Sequence, residues 1–204
     1  MSLTINHQTN DISASSGSMT IDGSAIGGGG GGGGPHGTLL QTITISSNIT
    51  NIDIGSSSLF TTTYSHYRIV GTDMTLAGSD PYLWLQMRRG TTWDSSTNYI
   101  YTMLRIESNT TYSVGGGNQL GFQMAGYHYS TAGYNGQYNI DIFNAGSTSL
   151  NTIAHFKNLA INGTAPSLCI GAGRYPHTDA ITGVRLKRHY NYFNGGVVKL
   201  YGVG

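Results

Sequence analysis

The sequence predicts an all-β protein, an antiparallel, jelly-roll-like β-sandwich behind an extended N-terminal arm. Three observations carry that expectation. Charged residues make up only 9% of the chain, well under the roughly 25% of ordinary globular proteins. Glu occurs once, at Glu107, and Lys only at Lys157, Lys187 and Lys199, although these two types normally coat helix surfaces. Their place is taken by Thr, Ser, Asn, Tyr and 31 glycines, the vocabulary of short strands and tight turns. Finally, apolar and polar residues alternate at period two. Tyr138, Ile140 and Ile142 alternate with Asn139 and Asp141, and Val198 and Leu200 with Lys199 and Tyr201. No helix-length window keeps a helical apolar stripe.

The 204 residues suggest one domain with an appendage. Residues 1–26 are polar, with sparse apolar points at Leu3, Ile5, Ile12, Met19, Ile21 and Ile26. Leu3 with Ile5, and Met19 with Ile21, suit two short extended pieces broken at Ser15-Ser16-Gly17. So little apolar surface does not offset the entropy of ordering the segment alone. It is expected to be disordered alone and to order only against a partner, which suits either a floppy terminus or an anchoring arm that adds a strand to a neighbour's sheet. Eight consecutive glycines at 27–34 and then Pro35 follow. That run spans ~15 Å as a coil and ~28 Å at full stretch. It lacks the spaced Lys-Ser/Thr of a phosphate-cradling loop, and no apolar strand feeds it. The expected organisation is an anchoring arm at 1–26, a polyglycine linker at 27–37 and a sandwich at 38–204.

Within the body, Leu39, Leu40, Ile43 and Ile45 begin a strand, and Ile49, Ile52 and Ile54 a second. Tyr64–Val70 places Tyr67 and Ile69 on one face and Arg68 on the other. Met74 and Leu76 extend that strand past a bulge at Gly71. Ser79-Asp80-Pro81 is turn chemistry. Leu83, Leu85 and Met87 then alternate with the bulky Tyr82, Trp84 and Gln86, which suits an inner strand. Residues 98–106 alternate Tyr99, Tyr101, Met103 and Arg105 with Ile100, Thr102, Leu104 and Ile106. A glycine loop is expected at 113–118, a strand at Leu120–Met124, and a Tyr/Gly/Ser loop at 127–136. After Tyr138–Phe143 and a turn at 144–146 come one or two strands at 153–161. A short run at 168–170 ends at Gly171 and Gly173, and a final hairpin joins 181–189 to the terminal strand through a loop at 191–196. Nine or ten short strands with Gly/Asn/Ser turns read as a sandwich or barrel.

Little in the chain spells out a reaction. The net charge of +1 supplies no field to draw in nucleic acid or an acidic membrane. No window approaches a membrane-spanning apolar run. Cys169 is the lone cysteine, so no intrachain disulfide forms, a reducing compartment of synthesis is expected, and its neighbours Leu168 and Ile170 point to an inert buried thiol. The seven histidines are scattered, with no pair at metal spacing. Asp94, Asp141 and Asp179 qualify for paired-carboxylate chemistry only by being acidic, and no Gly-x-Ser-x-Gly elbow occurs. The chain is therefore expected to be non-enzymatic, with no catalytic residues, cofactor or metal. Binding is better represented. Tyr127, Tyr129, Tyr134, Tyr190 and Tyr192 lie among Asn, Ser and Gly, a composition that offers rigid contact area to proteins and sugars. Arg185 and Lys187, with Arg188 and His189, suit either a basic docking edge or the solvated face of a strand with Val184 and Leu186 inward.

Several segments taken in order carry a resemblance. They are Tyr-Ser-His-Tyr-Arg-Ile-Val at 64–70, Leu-Trp-Leu-Gln-Met at 83–87, Gly-Thr-Thr-Trp-Asp-Ser-Ser-Thr-Asn-Tyr at 90–99 and Gly-Gln-Tyr-Asn-Ile-Asp-Ile-Phe-Asn at 136–144. The last is Ile-Thr-Gly-Val-Arg-Leu at 181–186, closed by Asn-Gly-Gly-Val-Val-Lys-Leu-Tyr-Gly-Val at 194–203. Together they resemble a β-sandwich module of structural proteins in tailed-bacteriophage virions, over about residues 60–203. The resemblance implies a virion protein made in the bacterial cytoplasm: a capsid decoration (cement) or head-fibre protein, held by its arm to a major capsid, collar or tail protein. It also implies a homotrimer. The other function it implies is a tail-fibre or receptor-binding module that reads host surface glycans.

Overall fold

The computed structural model describes residues 37–77, 82–96, 98–107, 110–125, 135–162, 165–188 and 190–204, together with the backbone of 3–6, 11–14, 19–21 and 24–26. The chain divides into two compact units, Met1–Gly32 and Gly33–Gly204. In the first, β1 (Leu3–Asn6) pairs antiparallel with β2 (Asp11–Ala14), which sets Ile5 opposite Ile12. There β3 (Met19–Ile21) likewise pairs with β4 (Ser24–Ile26). The two extended pieces expected from Leu3, Ile5, Met19 and Ile21 are thus one strand each of two hairpins. The polyglycine run 27–34 lies outside the described residues.

The second unit is an all-β sandwich of two antiparallel sheets. Its strands are β5 (Thr38–Ile45), β6 (Asn51–Ile54), β7 (His66–Leu76), β8 (Leu83–Arg89), β9 (Thr92–Trp93), β10 (Tyr99–Glu107) and β11 (Thr110–Gln119). They continue with β12 (Phe122–Ala125), β13 (Gly136–Phe143), β14 (Thr152–Asn162), β15 (Ala165–Tyr175), β16 (Gly183–Arg188) and β17 (Phe193–Val203). One sheet has eight strands in the order β11-β10-β15-β14-β13-β7-β17-β5. The other runs β12-β8-β16-β6, with β9 added beside β8. The inner position expected for Leu83–Met87 is correct, since β8 lies between β12 and β16. The bulge expected near Gly71 is also present. Asp73 has φ 53°, and the β13–β7 register shifts between Gly136 and Tyr138.

Several strands outrun the expectation for one physical reason, glycine placed where a side chain has no room. The loop expected at 113–118 is instead the middle of β11, paired to β10 through Gly115 and Gly116. A Cβ on Gly116 would lie 2.9 Å from the Tyr101 ring. Gly171 and Gly173 do not end a strand either, because β15 runs through both. A Cβ on Gly171 would meet the Phe156 ring at 2.5 Å and the Thr102 carbonyl oxygen at 2.6 Å, and one on Gly173 would strike the Phe122 ring. Similarly, the loop expected at 191–196 is largely the irregular start of β17, where Gly196 takes φ 123°. Leu120 belongs to no strand and is exposed.

The core lies between the sheets. Ile69, Ile140, Ile142, Met103 and Leu200 of the large sheet face Leu83, Leu85, Met87, Val184 and Leu186 of the small one, all buried. Three side chains of the large sheet also reach polar groups of the small one. The Tyr99 hydroxyl accepts from the Met87 amide at 2.7 Å, and the Tyr101 hydroxyl donates to Gln123 Oε1 at 3.0 Å. Asn158 Nδ2 donates to the Met124 carbonyl at 2.8 Å. Buried hydroxyls and amides are costly unless paired, so these bonds fix how the two layers meet. Ile140 is fully buried at the centre of the large sheet. Ile140→Ala is expected to cost about 2–5 kcal/mol of stability, seen as a lower urea midpoint with an unchanged slope.

Candidate functional site

Antiparallel register turns alternation into ranks of side chains across a sheet. On the outward face of the large sheet one rank runs Thr102, Ala172, His155, Asp141, Arg68 and Tyr201, crossing β10, β15, β14, β13, β7 and β17. The next runs Leu104, Ile170, Lys157, Asn139, Val70 and Lys199. Thr102 and Ala172 are small, so the first rank dips between taller neighbours. The result is a depression of about 750 Å³ lined by the first rank from Thr102 to Arg68 and the second from Leu104 to Asn139. A second depression of about 310 Å³ adjoins it over β13 and β7 and shares Asn139 and Lys157 with the first.

Arg68 grips Asp141 with both ends of its guanidinium, Nε to Oδ1 at 2.7 Å and Nη2 to Oδ2 at 3.2 Å. That hydrogen bond raises the Arg68 pKa, with burial opposing it and the carboxylate's charge adding to it. His66 Nε2 lies 3.8 Å from Asp141 Oδ1. Phe143 stacks on His66 at 5.0 Å and contacts His155 at 5.1 Å, and neither Phe143 nor His66 is among the residues that line the groove. Lys157 is exposed and forms no ion pair among the described residues.

A second polar cluster closes one end of the sandwich. The carboxylate of Asp94, 6% exposed, accepts from the Ser96 amide at 2.8 Å, the Ser96 hydroxyl and the Tyr175 hydroxyl. Arg89 spans Asp94 at 3.5 Å and Asp179 at 2.9 Å, and His177 Nε2 is 3.6 Å from Asp94. Burial pushes the Asp94 pKa up, but the bonds from Ser96 and Tyr175 and the charge of Arg89 outweigh it, so the pKa lies below the usual carboxylate value. Burial and the same carboxylate push the Tyr175 hydroxyl up. Tyr175 stays neutral and donates. The cluster is therefore a charged clasp between β8, the loop after β9 and the end of β15.

Of the sequence candidates, Asp94 and Asp179 meet through Arg89, whereas Asp141 lies on the outer face of the large sheet. Arg185 lies on the outer face of the small sheet. It is held bidentately by Asp53 at 2.6 and 2.9 Å and lies 4.1 Å over the Trp93 ring. Val184 and Leu186 point inward and Arg188 is buried, which is the strand-face alternative. Lys187 is partly exposed on the same face as Arg185. Tyr190 and Tyr192 are exposed, at 72% and 44%. Tyr127, Tyr129, Tyr134 and His189 lie outside the described residues, as do the side chains of Leu3, Ile5, Ile12, Met19 and Ile21. Cys169 is buried. Among the described residues, no group of three or more His, Cys, Asp or Glu is placed to hold a metal ion.

The outer groove was invisible to motif reasoning because its residues come from five strands. Alternation marks each of them as outward, but only the strand order brings them together. Comparison with protein-family models, curated proteins and solved structures finds no match.

The clasp makes a pH prediction. A native pKa held below the unfolded value of about 3.9 contributes stability that is present above that value and lost as pH falls through the native one. Asp94→Asn is expected to lower stability by about 1–3 kcal/mol at neutral pH. Chemical denaturation from pH 7 to pH 2 should then show a shallower acid-side fall for the variant than for the parent chain.

Proposed function

We propose that this chain is a non-enzymatic structural component of a tailed-phage virion, of the capsid decoration or head-fibre type. The N-terminal unit is the attachment and the sandwich is the displayed body. One observation carries the reading: the boundary between the two compact units falls inside the polyglycine run, between Gly32 and Gly33. Glycine has no side chain to pack and the largest backbone entropy to lose, so such a run joins two bodies without coupling their folds. The resemblance of the ordered sequence segments to phage sandwich modules supplies the rest of the support.

In this reading the N-terminal unit docks on a capsid, collar or tail subunit. The tether then holds the body near its own contact at high effective concentration, so two modest interfaces act as one stable attachment. Deleting residues 1–34 is expected to leave a folded, soluble body that is lost from purified particles. Immunoblots of gradient-purified particles, made with the tagged full chain or the truncated one, measure this. Full loading of the truncated body would contradict the proposal.

A further inference from the structure

We propose that the groove on the outer face of the eight-stranded sheet binds an acidic, carboxylate-bearing oligosaccharide. Lys157 is the principal charge contact, and the low Thr102–Ala172 floor with Leu104 and Ile170 beside it takes the sugar rings. The two depressions share Asn139 and Lys157, so they form one groove crossing β10, β15, β14, β13 and β7. At ~4.8 Å per strand spacing its four gaps span about 19 Å, the scale of an extended chain and not of a single small molecule.

Charge selects the occupant. The outward face carries Arg68, Lys157, Arg174 and Lys199 against Asp141, with Asp73 exposed at the bulge of β7 and hydrogen-bonded to Asn135, and Asp141 is already gripped by Arg68. Two copies paired two-fold through this face would bring these cations together. A partner bearing carboxylates meets them with opposite charge.

The kind of chain follows from what a sheet face offers. Its backbone donors and acceptors are used in the ladders on both sides of β15, β14, β13 and β7, so only side chains reach the groove. An extended peptide laid there would leave its own main-chain groups unpaired, which is why peptides add at sheet edges. A glycan needs only side-chain donors and acceptors for its hydroxyls and an apolar shelf for its C–H faces. The groove supplies Asn139, His155 and Lys157 for the first. Leu104 and Ile170, register partners that are 41% and 44% exposed, supply the second. Nucleic acid fits less well, because the lining has no exposed aromatic ring except the His155 imidazole on which a base could stack.

The test uses the full chain and does not depend on the virion reading, since particle loading and sugar binding are read separately. An oligogalacturonate is titrated into labelled protein and followed by amide NMR shifts and calorimetry, beside a neutral cello-oligosaccharide of equal length. The acidic sugar is expected to move the amides of Thr102, Asn139, His155, Lys157 and Ala172, and to bind more weakly as salt rises. Lys157→Glu should weaken it about tenfold or more. Ala172→Gln, which fills the floor without changing charge, should abolish it, while Lys187→Glu on the opposite sheet should leave it unchanged. The proposal is overturned by absence of binding at millimolar sugar or by equal binding of the neutral sugar. Shifts confined to other surfaces, undiminished affinity in Lys157→Glu and Ala172→Gln, or tighter capture of an acidic peptide in the same groove would overturn it equally.

Discussion

The structure depends on register in the large sheet. Side chains alternate with a period of two, so a slip of one residue in any of its ladders would send a whole core set to solvent. The pairing of Ile140 with Phe156 on one side and Ile69 on the other commits the inward face. The neighbouring residues then have no freedom left. Asp141 must stand between His155 and Arg68, and Asn139 between Lys157 and Val70. The buried core and the outer groove are two faces of one ladder, and burial holds the exposed one in place.

The interior is polar for a sandwich, and the reason lies in composition. With Tyr doing much of the work of Phe and Leu, the core has hydroxyls to satisfy. Tyr67 meets this by bonding both the amide and the carbonyl of Thr61, at 2.6 and 2.9 Å, which folds the loop after β6 over the end of the core. Tyr99 bridges the Met87 amide and the Asp94 carbonyl, and Tyr175 reaches the Asp94 carboxylate. Each ring fills volume while its oxygen names one partner, so the contacts position loops as well as layers. Tyr99 and Tyr101 are both shifted up, chiefly by burial. They therefore stay neutral across the physiological range.

Much of the fold was legible in the sequence. Period-two alternation marked most strands and their inward residues, including Tyr67, Ile69, Leu83, Leu85, Met87, Ile140 and Ile142. It failed at glycines, which read as turns in isolation. At Gly116, Gly171 and Gly173 they serve close packing inside strands, a requirement set by rings from other strands. The basic cluster at 185–188 illustrates the same limit. Arg185 is neutralised by Asp53, more than a hundred residues earlier, and no local pattern announces that pairing. The groove was hidden because it is assembled by strand order. The sequence neighbours β10 and β11 are adjacent in the sheet, but β15 is inserted between β10 and β14.

Function then divides between the two units: an N-terminal unit proposed to attach, and a sandwich whose larger face is proposed to recognise. Both roles need a body that presents one unchanging surface. The direct measurement of that premise is the set of cross-strand nuclear Overhauser contacts in the labelled protein in solution. Contacts from Asp141 to both His155 and Arg68, and from Asn139 to both Lys157 and Val70, are the predicted result. Contacts displaced by one residue along β13, or two registers in exchange, would contradict the account.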